Sequence, residues 1–321
     1  MKKCIYSFSI LIFGMTLFQS CMETTHLNVR HAAAISIPSD LDSVVVVNKT
    51  KLEKGGGNQV LNVLEGIATG EPILGDKYGA KSSVENMQRL VRESDRMDLI
   101  HDQVIDVKLK NISGTTPMKG EFVDSICKEY GADGVIALEH FDSDNDNMGN
   151  GSSARVRTQW RVYYPNERKI IDEFQVYSYA SDYEYYSIVP PAYKSISRAG
   201  AVGAQMYFDR IVPGFRREGR TYYTNGSHEM KAATKSVRRG DWDQAKYYWE
   251  VEIESHTSEK IISRAYYNLA LVYEIKDDLD KALEYISMSI ETGNTKAISY
   301  KAILNMRKNE VTLIEEQLKR E

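Results

Sequence analysis

The sequence predicts two folded regions: an α+β domain with a mixed sheet, followed by an all-α domain of helical repeats. In the first region, residues 154–162 alternate apolar and polar side chains with period two, as in a strand with one buried face. Residues 43–48 form a short apolar run rich in β-branched residues, which is typical of a buried strand. From about residue 227 onward, apolar residues recur instead at helical spacing.

The first domain is expected to mix strands and helices. Strands are predicted at residues 43–48, roughly 97–110, 134–141, 154–162 and 170–178. A helix is predicted to begin at Ser82, since Glu85 three residues later completes a capping box. A second helix is expected over Gly120–Tyr130, ended by Gly131. Two prolines, Pro190 and Pro191, open a third helix that runs to residue 211.

The hairpin formed by residues 154–162 and 170–178 carries a polar face. The predicted register places Val162 near Ile170 and Val156 near Val176, because a slip by one residue would bury arginines. The polar face then presents Arg155, Arg157 and Arg161 opposite Glu173, Gln175 and Tyr177. This face either binds an anion or is solvent-exposed with cross-strand charge pairs.

A tyrosine cluster follows on the second strand of this hairpin. Aromatic clusters at a strand end can contact glycans or partner proteins, and they can equally pack beneath a neighbouring helix. The sequence leaves both interpretations open for the five tyrosines Tyr177, Tyr179, Tyr183, Tyr185 and Tyr186.

The N-terminus has the features of a targeting segment. Lys2 and Lys3 precede an almost wholly apolar run at residues 5–18, and Ser20 precedes Cys21. This pattern resembles a bacterial lipoprotein signal, which implies a signal peptide at residues 1–20 and acylation of Cys21. The alternative is an ordinary secretory signal in which Cys21 is incidental. A tether is expected at residues 21–40, where apolar residues are scattered without a sustained period.

Composition argues against several function classes. The net charge of −4 disfavours general nucleic-acid binding, which needs a basic field. The helical spacing of Phe122, Ile126 and Tyr130 places Cys127 on a buried face, where a thiol behaves as a small apolar group. No catalytic constellation is found, and no cofactor is predicted.

One acidic segment resembles a calcium loop at first sight. Asp142, Asp144 and Asp146 alternate as in an EF-hand, but the positions that need glycine and glutamate hold Asn147 and Ser153. We therefore predict no metal site and a hairpin loop at residues 142–153.

The C-terminal region resembles tetratricopeptide repeats. The segment RRGDWDQAKYYWE resembles the middle of one repeat, and AYYNLALVYEIKDDLDKALEYISMSIE resembles a nearly complete one. Ala270 and Ala282 are 12 residues apart, and Tyr266 and Tyr300 are 34 apart, as the repeat requires. Residues 227–321 are therefore predicted to form about two and a half tetratricopeptide-like copies.

This resemblance also implies a binding surface, because the first helix of each repeat lines a concave groove in that family. The partner-binding positions it implies are Met230, Thr234, Arg264, Tyr267, Leu271 and Glu274. The alternative is that so short a stack is purely structural and caps the first domain.

The first domain also resembles known envelope domains. The segments SVVVVN, ESDRMDLI, YGADGVIALEHF and YYPNERKIIDEF follow an order of strands and helices that is similar to three proteins. These are the periplasmic domain of the curli-secretion lipoprotein, the lipoproteins that activate penicillin-binding proteins, and the N-terminal domain of the Tol-system β-propeller protein. The resemblance implies an α/β sandwich-type domain with a mixed sheet at residues 41–226.

Together these features predict a lipid-anchored adaptor or assembly factor of the cell envelope that binds another envelope protein and catalyses no reaction. Outer-membrane placement is favoured because no acid directly follows Cys21. Two alternatives remain. One is a glycan-binding or glycan-hydrolysing lipoprotein that uses the aspartates of residues 142–146 and the tyrosines. The other is a subunit of a homo-oligomeric envelope assembly.

Overall fold

The computed structural model describes residues 22–50, 75–107, 115–148, 151–167, 169–183, 191–255 and 258–320. The chain divides into two compact units. The α/β unit comprises the described parts of residues 32–214 and 313–321, and the helical unit comprises those of residues 1–31 and 215–312. The predicted fold class, an α+β mixed-sheet region followed by a helical region, is confirmed.

The α/β unit is built on a six-stranded mixed sheet. Within the described residues the strand order is β3-β2-β5-β6-β7, and β4 also pairs with β2. The pairs of β2 with β3, β4 and β5 are parallel, whereas β5, β6 and β7 are antiparallel neighbours. The strands are β2 (Ser43–Asn48), β3 (Asp98–Leu99), β4 (Ile105–Asp106), β5 (Gly134–Met148), β6 (Gly151–Tyr164) and β7 (Lys169–Tyr183).

Helices cover both faces of this sheet. Helices α1 (Gly75–Arg92) and α3 (Pro191–Ile211) pack on one face, over a core that includes Val44, Ile136 and Trp160. The shorter helix α2 (Gly120–Tyr130) packs on the other face, against Val45 and Tyr163. The predicted bounds of α2 are confirmed, and Gly131 ends it with a left-handed φ of 72°.

Two local predictions for the α/β unit are wrong. Helix α1 begins at Gly75, so Ser82 lies inside it and donates a hydrogen bond to the Ser197 carbonyl instead of capping the helix. The predicted loop at residues 142–153 is largely strand, because β5 continues to Met148 and β6 begins at Gly151.

The register of the β6–β7 hairpin also differs from the prediction. Val162 pairs with Asp172 and Val156 with Ser178, two residues further along β7 than expected. A slip by two residues keeps every side chain on its predicted face, so the apolar alternation cannot detect it. A 3-10 turn at Pro165–Glu167 and an irregularity between Val162 and Tyr163 account for the shift.

The helical unit combines a strand pair with helices. Strand β1 (Met22–His31) pairs with β8 (Gly214–Tyr223). Five helices follow in the described residues: α4 (His228–Arg238), α5 (Trp242–Glu254), α6 (Glu259–Ile275), α7 (Leu279–Glu291) and α8 (Ala297–Gln317). The tether predicted for residues 21–40 is thus wrong for Met22–His31, because β8 provides a hydrogen-bonding partner about 190 residues away along the chain.

Side-chain contacts give the direction of this strand pair. Arg30 near the end of β1 lies over the ring of Phe215 near the start of β8, with 5.1 Å between the guanidinium carbon and the ring centroid. Glu23 near the start of β1 accepts a 2.8 Å hydrogen bond from the Tyr222 hydroxyl near the end of β8. The two strands therefore run antiparallel.

None of the described helices combines the length and apolar character that crossing a bilayer requires.

Candidate functional site

The predicted partner-binding positions lie close together in the helical unit, but most of them are buried. Met230 and Leu271 are fully buried in its core. The Thr234 hydroxyl donates to the Thr224 carbonyl at 3.0 Å. Arg264 lies over the ring of Tyr223, with 5.0 Å between the guanidinium carbon and the ring centroid.

Residues 220–225 include the end of β8 and the two residues after it. This segment occupies the place where a partner was expected to bind. Asn268 on α6 makes two hydrogen bonds to its main chain. The side-chain amide donates to the Tyr223 carbonyl at 2.8 Å, and the side-chain oxygen accepts from the Tyr223 N–H at 2.8 Å. Arg264 adds a 3.3 Å hydrogen bond to the Asn225 carbonyl. Because buried backbone groups need partners, this two-point contact fixes the segment in place.

Aromatic packing surrounds the same segment. The Tyr267 ring lies 5.3 Å from the ring of Tyr223 and 5.1 Å from that of Tyr300, measured between centroids. The Tyr223 hydroxyl donates to the Asn294 side-chain oxygen at 3.1 Å. Burial raises the pKa of Tyr267, as expected for a phenol enclosed by other rings.

Glu274 is the electrostatic centre of this packing, and its side chain is fully buried. It accepts two hydrogen bonds from Arg220 Nε, at 3.1 and 3.0 Å, and one from the Tyr300 hydroxyl at 2.6 Å. A second cation, Arg307, lies 3.3 Å from its Oε1 atom. Burial, followed by the charge of Glu274, raises the pKa of Tyr300 well above its ordinary value.

The prediction of an accessible groove at these six positions is therefore corrected. Five of them are buried, namely Met230, Thr234, Tyr267, Leu271 and Glu274, and Arg264 is engaged by Tyr223 and Asn225. The physical reason is that the chain's own residues 220–225 satisfy the polar groups and rings that a partner would have met.

The second candidate surface is the face of the sheet on the side of α2. Alternate residues of three strands share this face: His140, Asp142 and Asp144 on β5, then Arg155, Arg157 and Gln159 on β6, then Gln175, Tyr177 and Tyr179 on β7. We call these nine residues the open face. Tyr177 and Tyr179 are 69% and 57% exposed, although large aromatic side chains are usually buried.

Charge pairs cross the open face between neighbouring strands. Arg157 donates to Asp142 at 3.0 Å, and Arg155 lies 3.4 Å from a carboxylate oxygen of Asp146. On β7, the Gln175 amide donates to the Tyr177 hydroxyl at 2.6 Å. The face therefore combines exposed aromatic rings with arginines whose charges are largely balanced by the strand beside them.

Arg161 lies on the same side of the sheet, as predicted, but in a buried ion network at the end covered by α2. It lies 3.0 Å from Glu139 Oε2 and 2.8 Å from Glu173 Oε1. The charge of Arg161 is therefore balanced by Glu139 and Glu173, and the side chain is not available to an external anion. The correction arises because α2 and residue 118 cover this end of the sheet.

Glu139 is the centre of that network, and its side chain is fully buried. It accepts a 2.6 Å hydrogen bond from the Tyr163 hydroxyl and pairs with Lys49, which also donates to the Thr116 carbonyl at 2.6 Å. Burial, followed by the hydrogen bond to Glu139, raises the pKa of Tyr163. The charges of Lys49, Arg161, Glu139 and Glu173 compensate one another, which favours a structural role.

Sequence reasoning missed Glu139 and Asn268, and it assigned Glu274 to an accessible groove although this carboxylate is buried. Glu139 follows an apolar run in β5 and Glu274 lies among apolar helix positions, so each could have been noticed as a charge at a buried position. Their partners could not have been named, since Lys49 and Glu139 are 90 residues apart and Arg220 and Glu274 are 54 apart.

Cys21 and Cys127 were assigned different roles by the sequence analysis. Cys21, the predicted acylation site, lies outside the described residues. Cys127 is buried on α2 as a free thiol, as its spacing predicts. Burial, with smaller contributions from the nearby carboxylates Asp124 and Asp133, raises the pKa of its thiol to about 11, so the thiolate is disfavoured.

Comparison with solved structures gives only distant likenesses. PelC from Paraburkholderia phytofirmans, described as a dodecamer, is 7% identical, with 59% of this chain and 98% of that chain covered and a TM-score of 0.29. The hypothetical protein CT253 from Chlamydia trachomatis is 15% identical, with 53% and 93% covered and a TM-score of 0.27. A candidate lipoprotein from Caulobacter crescentus CB15 is 10% identical, with 29% and 81% covered and a TM-score of 0.19. Scores this low carry no inference about function.

Comparison with sequences leads to families rather than to individual relatives. No curated protein matches this chain. Residues 231–315 match the family model described as domain of unknown function DUF6340. Residues 41–223, more than half of the chain, match the model described as domain of unknown function DUF8603. The chain therefore belongs to the DUF8603 family.

Proposed function

We propose that this chain is a lipid-anchored adaptor of the bacterial cell envelope, which binds another envelope protein through the open face of its sheet and catalyses no reaction. The anchor is Cys21, and the outer membrane is the favoured location, both on the sequence pattern described above. The observation that carries the binding role is the exposure of Tyr177 and Tyr179 beside Arg155 and Arg157.

Composition supports a protein partner at this face. Tyrosine and arginine are the residue types enriched among the few that dominate binding energy in protein interfaces. Balanced charge pairs on β5 and β6 fix the positions of the arginines, so a partner meets a preorganised surface. The helical positions first considered for binding are filled by residues 220–225, which leaves the open face as the better candidate.

In-cell photo-cross-linking tests this proposal. A photoreactive amino acid is placed at Tyr177 in one strain and at Tyr247 in another. Tyr247 lies on α5 and is 56% exposed, so it matches the tyrosines of the open face in residue type and exposure. We expect one reproducible envelope-protein adduct from position 177 that disappears when Tyr179→Ala is added. No adduct at 177, or the same adduct at 247, would contradict the proposal.

Glycan binding is the second candidate, and one observation favours it. The aspartates Asp142, Asp144 and Asp146 lie on strand β5 rather than on a loop, so a rigid element holds them, with β6 between them and the exposed tyrosines of β7. Calorimetric titration with soluble cell-wall glycan fragments tests this candidate. Binding that is lost in the triple Asp→Asn variant would replace the protein partner by a glycan, and absence of heat would exclude this role.

A homo-oligomeric assembly is the third candidate, since β7 lies at the end of the described strand order. The mass of the acylated protein, measured in mild detergent, tests whether the chain forms such an oligomer. A monomer at working concentration would exclude this role and leave the adaptor proposal intact.

A further inference from the structure

Helix α4 of the helical unit carries a row of exposed cations. Lys231, Lys235 and Arg238 follow one another at spacings of four and three residues, so they share one side of the helix, and Arg239 adds a fourth charge at its end. The chain as a whole has a net charge of −4, so this row opposes the general charge of the molecule.

The row is not explained by internal ion pairs. Within the described parts of the chain, neither Lys231 nor Lys235 is within ion-pair distance of a carboxylate, whereas Arg238 pairs with Glu23. Like charges four residues apart on a helix destabilise it slightly. The helix dipole favours Lys235 and Arg238 near the C-terminal end, but it does not favour Lys231 near the start of the helix.

The start of the described chain lies beside this row. Met22 and Glu23 line a cavity of about 440 Å³ together with Lys231, Lys235 and Arg238. A neighbouring cavity of about 330 Å³ shares Lys231 and Lys235 and adds Arg239 and His228. The Lys296 ammonium also lies 3.7 Å from the Met22 sulfur atom. Several cationic side chains therefore lie close to Met22, at the start of the described residues.

One peptide bond joins Met22 to Cys21, the residue that carries the lipid in the function proposed above. The bilayer that receives the lipid must therefore lie near the Met22 end of β1. We propose that the cationic side of α4, with Lys296, is a membrane-contact surface that binds the phosphate groups of anionic lipids. This inference rests on the proposed anchor for its geometry and adds a contact that the anchor alone does not require.

The chemistry fits a lipid headgroup. An ammonium group is a strongly hydrated point charge that binds phosphate without demanding one orientation, as suits a fluid layer of headgroups. Among the described residues, two acidic groups lie near this surface: Glu23, which is paired with Arg238, and Glu229, which lies 3.5 Å from His228. A basic surface next to a lipid chain supplies the second signal that strengthens membrane attachment and gives the protein one orientation.

Vesicle co-sedimentation tests the contact without the lipid anchor. The probe is the whole mature chain from residue 21 with Cys21→Ser, mixed with vesicles of one part phosphatidylglycerol to two parts phosphatidylcholine. We expect binding at low salt, loss of binding at high salt, and none to pure phosphatidylcholine. Lys231→Glu with Lys235→Glu should lower the partition coefficient about tenfold or more, since each basic residue near an anionic surface contributes about fivefold.

The matched control is Arg216→Glu with Arg217→Glu. It changes the net charge equally at two exposed residues near the start of β8, at the opposite end of the strand pair from Met22. We expect the control to alter binding by less than about twofold, because those residues lie away from the surface. Equal losses in both variants, or no binding by the unaltered chain, would overturn the proposal. A thermal unfolding curve checks that each variant is folded, and Lys→Gln replacements at 231 and 235 must give a smaller loss in the same direction.

Two measurements distinguish failure of the proposed lipid-contact surface from failure of the proposed lipid anchor. Acylation is read from the mass of the N-terminal peptide of protein purified from membranes. An acylated Cys21 with no vesicle binding by the Cys21→Ser chain removes the contact surface and leaves the anchor in place. Vesicle binding without acylation keeps the surface and removes the anchor.

Discussion

Two surfaces of this molecule are rich in tyrosine and arginine, and they are in opposite states. In the helical unit, Tyr267 and Arg264 contact the chain's own residues 220–225. In the α/β unit, Tyr177 and Tyr179 point outward from the end of the sheet that α2 does not cover. Residue type alone therefore does not decide whether a surface can bind a partner, because a segment of the same chain can already occupy it.

The same contrast occurs within one face of the sheet. Under α2, the face holds the buried network of Glu139, Lys49 and Arg161, in which each charge meets an opposite one. Further along the strands the face holds exposed tyrosines and surface ion pairs. Burial makes the first region important for stability, and exposure makes the second important for binding. The predictions below separate these two roles.

The largest expected effect is on stability, at the helical surface that residues 220–225 occupy. Glu274→Gln should lower the free energy of unfolding by about 3–5 kcal/mol, because it removes the buried counter-charge of Arg220 and leaves only the more exposed Glu218 at 3.6 Å. Urea denaturation measures this. The control is Asp277→Asn, which removes the exposed carboxylate paired with Arg307 and should cost less than about 1 kcal/mol. Asn also tolerates the positive φ of 59° at that position. Similar costs for the two variants would show that residues 220–225 do not depend on Glu274.

The covered end of the sheet face is tested through Cys127. Its thiol pKa of about 11 lies above the ordinary value near 8.5, so at pH 8 the reactive thiolate is depleted by roughly a hundredfold or more. In the Cys21→Ser chain, a colorimetric thiol reagent should react at least that much more slowly with native than with urea-unfolded protein. The native rate should rise about tenfold per pH unit between pH 8 and 10. Equal native and unfolded rates would mean that this thiol is not buried between α2 and the sheet.

The open face should affect binding and leave stability almost unchanged. Tyr177→Ala should weaken partner binding by about 2 kcal/mol, as for a central aromatic residue of an interface. The same change should alter the free energy of unfolding by less than about 0.5 kcal/mol, because the side chain is exposed. Quantitative capture of the cross-linked partner, with Tyr247→Ala as control, provides the measurement. A large stability loss in Tyr177→Ala would indicate a packed rather than a displayed tyrosine.

The sequence is informative wherever structure follows from neighbouring residues. Helix α2 and its end at Gly131 were predicted because apolar spacing and a glycine are local signals. The side-chain alternation of β6 and β7 was also predicted, whereas their register was not, because a two-residue slip leaves the alternation unchanged. The assignment of residues 227–321 to tetratricopeptide-like repeats stays a prediction, although the helices themselves are present.

Contacts between distant residues explain the remaining differences. The pairing of β1 with β8 and the hydrogen bonds between Asn268 and Tyr223 each depend on residues far apart in the sequence. A polar residue such as Asn268, buried in an apolar helix, gave a signal that a partner was needed, since buried polar groups are nearly always hydrogen-bonded. It gave no signal of which residue the partner would be.

Amide hydrogen exchange tests the central contrast most directly, because it needs no partner. The N–H of Tyr223 donates to buried Asn268, whereas alternate N–H groups of β7 point away from β6 at the end of the described strand order. We predict slow exchange at Tyr223, faster exchange at the outward amides of β7, and loss of the protection at Tyr223 in Asn268→Ala. Rapid exchange at Tyr223 together with uniformly slow exchange along β7 would contradict the account, because residues 220–225 would then be unprotected and the edge formed by β7 would be covered.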